Sequence, residues 1–359
     1  MPSGFDALCQ MGLEGDVATL PQVKIKGIDI YQEEKFLIHA EPDFFRQDPG
    51  ARWVSQPALL EMLVSKCEEN SDFSFFRGWR CTGVVEKNGR VKGIKIVQGS
   101  ETREIEGDIF IGADGRTSIL RRLLDPQLHV YKQIIDVVWF RLPRPEFLNP
   151  GIGLVSISPS NACLSFPVYG DQLQVGWLIK KGHFGEIKRQ GKEVWFQNLP
   201  NCLPKHFASH MEKHRDKASD YFVLDVACSR LQNWHHRGVL MIGDASHTMS
   251  PVGAQGINLA LRDSIVTANE LIPVLEGATE KTNSIDIAFE KIQQDRIGEV
   301  KRIQKFQQVP PKLIFLQNSL AKLLVSNLPW LSKRRLAKRL FSRLGHAFAF
   351  GNSDVNLRI

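Results

Sequence analysis

Two aspartates stand out because each follows a short apolar run and sits among glycines. Val239, Leu240, Met241 and Ile242 form one run, closed by Gly243 and Asp244; Ile109 to Ile111 form the other, closed by Gly112-Ala113-Asp114-Gly115. Short apolar runs between turn signals read as strands covered on both faces, in mid-sheet. Ligands of open α/β sheets gather beyond the carboxyl ends of such strands, which makes Asp244 and Asp114 candidate site residues. Beyond Asp244 come Pro251, Gly253 and Gly256, where missing Cβ atoms let backbone N–H groups approach a ligand. From Gly256 the positions Ile257, Leu259, Ala260, Leu261 and Ile265 recur at helical spacing, so the first-turn N–H groups of Gly256, Ile257 and Asn258 face the same spot. The chemistry on offer is an electron-poor cradle for an anionic or acceptor-rich ligand. Arg121 adds a permanent charge whose forked donors suit a phosphate.

These residues need a sheet to hold them, and the sequence supplies its pieces. A helix is expected over Gln56 to Cys67, with Leu59, Leu60, Leu63 and Val64 on its apolar face. A hairpin is expected over Cys81 to Val97, turning at Asn88-Gly89, a strong hairpin dipeptide. Ile134 to Phe140, Gly151 to Ile157, Ala162 to Tyr169 and Leu173 to Ile179 are β-rich runs parted by Pro, Gly, Asn or Asp, as in an antiparallel meander. Trp139, Phe140, Phe166, Tyr169 and Trp177 on these strands are either pocket or core aromatics. His235 and His236 read as loop residues rather than metal ligands.

The ordered set Gly243-Asp244-Ala245-Ser246-His247, Pro251, Gly253, Gln255-Gly256, Asn258 and Asp263 resembles the second flavin motif of the single-component FAD monooxygenases, relatives of para-hydroxybenzoate hydroxylase and the ubiquinone-biosynthesis hydroxylases. Asp114-Gly115, Ser118 and Arg121 resemble the same family's DGxxSxxR motif. The resemblance implies an α/β fold: an FAD/NAD(P)-binding Rossmann-like sheet, an inserted antiparallel substrate sheet and a helical C-terminus. It implies that Asp244 meets the ribityl chain, that Pro251 to Asn258 flank the isoalloxazine, and that the Asp114 motif contacts the diphosphate region. By the same resemblance Gln56 lies near the ribityl and phosphate groups, and backbone near Val84 touches adenine. The implied reaction uses NAD(P)H to reduce FAD and O2 to hydroxylate a small organic substrate, aromatic or polyene. An FAD-dependent reductase of a prenyl chain shares both motifs and stays open. The segment Gly176-Trp177-Leu178-Ile179-Lys180 does not meet the WxWxIP signature of flavin halogenases.

One expected feature is missing from the sequence. The family opens with a βαβ unit carrying GxGxxG, which holds the pyrophosphate, and this chain contains no GxGxxG. Met1 to Met11 resembles instead the helix that follows that unit. The sheet is therefore expected to be N-terminally incomplete, through an internal Met taken as the start, a decaying gene that leaves a remnant without FAD binding, or a split protein completed by another chain. The expected division is 1–125 for the first part of the FAD-binding domain, with 23–45 reaching the substrate lobe, 126–235 for the substrate domain, 236–275 for the second FAD part and 276–359 for a helical C-terminal region.

Composition bounds the rest. With 359 residues, 43% hydrophobic and 24% charged, the chain can bury a full core and is not disordered. Six cysteines lie scattered without CxxC pairs, which fits reduced core thiols and no zinc site. No charged-then-apolar leader and no long apolar run are evident, so a cytoplasmic protein is expected. The net charge of +7 concentrates near the C-terminus, where Lys333, Arg334, Arg335, Lys338, Arg339 and Arg343 interleave with leucines. Such a stretch is either a packed helix pair with a solvated basic face or a peripheral contact with an anionic membrane. Nucleic-acid binding is not expected, since no stacking aromatics line it.

Overall fold

The computed structural model describes the chain except residues 42–49, 125, 160, 190–195, 198, 220, 278–280, 316–325, 328, 331–344, 347–348 and 352–354. The basic cluster from Lys333 to Arg343 lies outside the described residues. The chain opens with α1 (Pro2–Gln10), α2 (Glu14–Ala18), β1 (Gln22–Lys24), β2 (Gly27–Gln32), β3 (Lys35–Ala40), β4 (Arg52–Val54) and α3 (Gln56–Glu68). It continues with β5 (Arg80–Lys87), β6 (Arg90–Gln98), β7 (Glu101–Glu106), β8 (Phe110–Gly112), α4 (Ile119–Leu124) and β9 (Leu128–Val130). Then come β10 (Ile135–Pro143), β11 (Ile152–Ile157), β12 (Ala162–Val168), β13 (Gln172–Lys180), α5 (Phe184–Arg189), α6 (Lys205–Lys213) and β14 (Phe222–Leu224). Last are β15 (Ser229–Leu231), β16 (His235–His236), β17 (Val239–Met241), α7 (Gly256–Glu276), α8 (Lys281–Gln307) and α9 (Val309–Phe315).

The largest sheet runs β14-β10-β13-β12-β11-β2-β3. Strands β11, β12 and β13 do meander, but β10 pairs with the far side of β13, from Ile135 opposite Lys180 to Pro143 opposite Gln172. The simple meander is corrected, and the reason is in the strand: Ile135, Val137, Val138, Phe140 and Leu142 are all buried, so β10 needs an interior position between β13 and β14. Strand β2 joins from upstream, parallel to β11. Phe140 and Trp177 belong to the core beside this sheet, with Leu154, Leu173 and Phe196.

A second, three-stranded sheet runs β16-β17-β8, with β17 parallel to β8. The expected strand from Ile109 to Ile111 starts one residue later, and β17 is the middle strand with Val239, Leu240 and Met241 fully buried. His235 and His236 form an edge strand here rather than a loop, pairing with Leu240 and Val239. Gly112 allows α4 to close on the sheet, since a Cβ there would fall 3.1 Å from Met241 Cγ and 3.2 Å from Leu120 Cδ1. The third sheet is β5-β6-β7. Its hairpin turns at Asn88 (φ 53°) and Gly89 (φ 73°), two left-handed residues in a row as a tight I′ turn requires.

Helix α3 begins at Pro57's neighbour Gln56 because Ser55 caps it, its Oγ accepting from the Ala58 N–H. Only Leu59 of the expected apolar face is buried; Leu60 is 53% exposed, because the short helix meets a small cluster around Phe5, Leu8 and Val17 on one side only. The cysteines are likewise mixed: all six are free, Cys163, Cys202 and Cys228 are buried, and Cys67 is exposed.

Candidate functional site

The turn Gly243–Ala245, directly after β17, carries Asp244. Gly243 takes φ 58°, a left-handed conformation that suits glycine. The Asp244 carboxylate faces the start of α7, since a Cβ built on Gly256 would lie 3.9 Å from Asp244 Oδ1 and near no other atom. Burial raises the Asp244 carboxyl above the ordinary carboxylate range, against the opposing pull of His247, a backbone hydrogen bond from Met249, Arg116 and Arg121. The Pro251 to Ala254 turn leads into the helix with Gly253 and Ala254 both at positive φ. Gln255, the N-cap residue of α7, makes no side-chain cap hydrogen bond to its first turn. Asn258 is buried, its Nδ2 donating to Ala254 O and its Oδ1 accepting from the Met1 amine, while Ile257 is exposed.

Asp114 and its neighbours do more structural work than the sequence suggests. Asp114 Oδ2 accepts the N–H groups of Ile119 and Leu120, and buried Ser118 caps Arg121, so this motif starts α4. Gly115 makes the turn at φ 78°. The Arg121 guanidinium donates to Ala245 O at 3.0 Å and to Arg116 O. Burial lowers the Arg121 pKa, while Asp114 and Asp244 act the other way. The two motifs thus meet: Arg121 ties the Asp114 segment to the turn that carries Asp244.

Gln56 and Val84 lie on other elements, Gln56 exposed at the first turn of α3 and Val84 opposite Ile94 in the hairpin. Tyr169 reaches toward α3, and hydrogen bonds with Ser55 and Arg141 hold its phenol below the usual range. Phe166 packs on Trp53, with ring centroids 4.8 Å apart.

Behind the turn lies a set of charges that sequence reasoning largely missed. Asp263 Oδ2 accepts from Gly243 N at 3.0 Å and His247 Nε2 at 2.6 Å, and Oδ1 accepts from Arg296 Nε at 2.8 Å. Arg296 also bonds Glu299, which pairs with Arg262. All five side chains are buried. Burial alone would raise the Asp263 pKa, but attraction and hydrogen bonds from His247 and Arg296 hold it down at about 2. The signal for Arg296 was available: Ile285, Ala288, Phe289, Ile292, Arg296, Glu299 and Ile303 share one helical stripe, in which two charges interrupt an otherwise apolar face.

Among the described residues no cluster of His, Cys, Asp or Glu is arranged to hold a metal. For FAD, the fit is half complete. Gly256, where a Cβ would meet only Asp244 Oδ1, the start of α7 and the half-buried Asp244 suit the hydroxylated chain and ring of a flavin. The pyrophosphate end lacks its glycine loop, and β8 pairs with β17 alone among the described residues.

A family model for an FAD binding domain matches residues 3–286. The chain is 26% identical over 308 residues to 6-methylpretetramide 4-monooxygenase of Streptomyces rimosus, covering 85% of this chain and 71% of that protein. It is 23% identical over 292 residues to squalene epoxidase 3 of Arabidopsis thaliana, covering 79% of this chain and 54% of that protein. The chain thus spans about half the length of that second relative. The solved structure of p-nitrophenol 4-monooxygenase from Pseudomonas putida DLL-E4 superposes with a TM-score of 0.79 at 14% identity, over 99% of this chain and 88% of that one, which shows a shared α/β fold. With four-fifths of its residues inside the matched model, the chain belongs to the FAD binding domain family, among relatives named as FAD-dependent monooxygenases and epoxidases.

Proposed function

We propose that this chain is the main body of an FAD-dependent, NAD(P)H- and O2-using monooxygenase of a small organic substrate. The observation that carries the proposal is the Asp244 carboxylate, half-buried beside Gly256 at the start of α7. In this reading Asp244 accepts from the ribityl hydroxyls, and the backbone of Gly253, Gly256, Ile257 and Asn258 lies against the pyrimidine edge of the ring. Bound FAD supplies the redox chemistry, in which NAD(P)H, O2, a proton and substrate give hydroxylated substrate, water and NAD(P)+. The chain's own residues bind and orient the cofactor and substrate and exclude water. Gln56, Val84, Asp114, Gly115 and Arg121 are proposed for the adenosine diphosphate half, with Arg121 turning from its carbonyl partners toward phosphate. An aromatic or polyene substrate is supported by the relatives' names, one a 6-methylpretetramide monooxygenase and the other a squalene epoxidase.

The half-fit at the pyrophosphate calls for a second element. A parallel strand added along the open edge of β8, from sequence upstream of this chain or from another chain, would cover Ile111, which is 43% exposed. Unpaired edges with apolar side chains favour such addition. No helix among the described residues is long and apolar enough to cross a membrane. Six free thiols suit a reducing compartment such as the cytoplasm, and any peripheral membrane contact would fall to the basic C-terminal stretch.

Visible absorbance of the purified chain tests the proposal, beside a form extended upstream in frame where the frame continues. Flavin bound by either form supports it. An absence of flavin from both, after incubation with excess FAD, would leave a remnant fold without cofactor.

A further inference from the structure

Beyond its pull on Asp244, His247 is buried behind the turn with a defined set of contacts. Its side chain is 1% exposed, and Nε2 lies 2.6 Å from Asp263 Oδ2. The same oxygen accepts the N–H of Gly243, which opens the turn carrying Asp244. The other oxygen of Asp263 is held by Arg296. The His247 ring is gripped from the side by Trp234, centroids 4.9 Å apart, and its Nδ1 is buried without a partner. The backbone closes the loop as well, since His247 N donates to Gly243 O at 2.8 Å.

This arrangement fixes a geometry rather than filling a space. A phenyl ring would fill the volume equally well and would leave Gly243's partner with one anchor fewer. Buried carboxylates accept hydrogen bonds that are about twice as strong as neutral ones, and a donor lost from one leaves its lone pair without compensation. The aim of Asp244 depends on where Gly243 sits, and Gly243 sits where Asp263 holds it. We propose that His247 is a positioning residue: through Asp263 it fixes the Gly243–Ala245 turn and so aims the Asp244 carboxylate at the start of α7. In naming Asp244's ligand this rests on the flavin reading, but the positioning itself can be read without flavin.

The test compares His247→Phe, which keeps the ring volume, with His247→Gln, which keeps a side-chain N–H donor near Nε2. Hydrogen exchange of the chain without flavin is followed by mass spectrometry in peptides covering 239–250. His247→Phe is expected to speed exchange of the turn amides about tenfold, the loss of one hydrogen bond to a charged group, with the β10–β13 peptides unchanged. His247→Gln is expected to restore most of the protection. If wild-type protein binds FAD, the dissociation constant should rise by a similar factor in His247→Phe and recover in His247→Gln. Phe protecting the turn as well as His, or Gln protecting it no better than Phe, would overturn the proposal and leave His247 as a filler of volume. Faster exchange throughout, including β10–β13, would also overturn it, showing a general loss of fold. Wild-type protein that binds no flavin would count against the flavin reading alone, since the exchange comparison still decides the positioning role.

Discussion

The seven-stranded sheet and the three-stranded sheet solve the same problem by different physics. In the large sheet, strands of up to nine residues bury mostly apolar side chains, among them Phe140, Leu142, Leu154, Leu173 and Val175, with Asp136 the buried charge at one end, paired with Lys181. In the small sheet each strand has two or three residues. Its strands share an apolar core with Phe110, Trp234, Val239, Leu240 and Met241, and the turn that follows is held in addition by Gly243 and by Asp263, Arg296, Glu299 and Arg262, paired between α7 and α8. Apolar burial is tolerant of small displacements. A network of paired charges is not, which suits a surface that must hold one carboxylate in one direction.

The sharpest way to break this contrast is Arg296→Met. It leaves Asp263 and Glu299 buried with a lost partner, and removal of one member of a buried ion pair costs about 3–5 kcal/mol. Urea unfolding should show that loss. A stability equal to wild type would mean that the network contributes nothing and that the two sheets do not differ in kind. Leu173→Ala, in the large sheet, should cost about 2–4 kcal/mol by lost transfer energy and a residual cavity. The same urea series measures it. Its effect should be insensitive to pH, since no titratable group touches the argument.

Acid provides a cleaner separation. The Asp263 carboxyl is held at about 2, below its ordinary 3.8. A group whose pKa is depressed by folding adds stability that is complete above the unfolded value and fades as pH falls through the folded one. The contribution should therefore be intact above pH 4 and lost between there and pH 2, to a total of about 2 kcal/mol at 1.36 kcal/mol per unit. Asp263→Asn should flatten that limb of the stability curve. An unchanged acid limb would show that other carboxylates set it.

How much of this was legible depended on distance along the chain. The strand at Val239, the helix from Gly256 and the Asn88-Gly89 turn were readable because each is written in adjacent residues. That Asp244 lies beside Gly256 was readable for the same reason. The partners of Asp263 were not, because Arg296 is 33 residues away and a charge on an apolar helical stripe names no partner. Nor was the place of β10, since its neighbour β13 is chosen by mutual burial and not by order. The double duty of Arg121 was hidden too: its charge was visible, but the carbonyls of Ala245 and Arg116 that occupy it are a property of the fold.

The smallest effect tests the part the sequence told best. Gly89 adopts φ 73°, and a Cβ there would meet nothing within 4 Å. Gly89→Ala therefore carries no steric clash, only the cost of a left-handed backbone in an L-residue, about 1 kcal/mol. The hairpin should persist, because Asn88 at φ 53° and the β5–β6 pairing are untouched. Thermal unfolding should shift by only a few degrees, and exchange at 239–250 should not change at all. A loss as large as that of Arg296→Met would mean that the hairpin and the charged network are one cooperative unit, and the contrast drawn between apolar tolerance and ionic precision would have to include the third sheet.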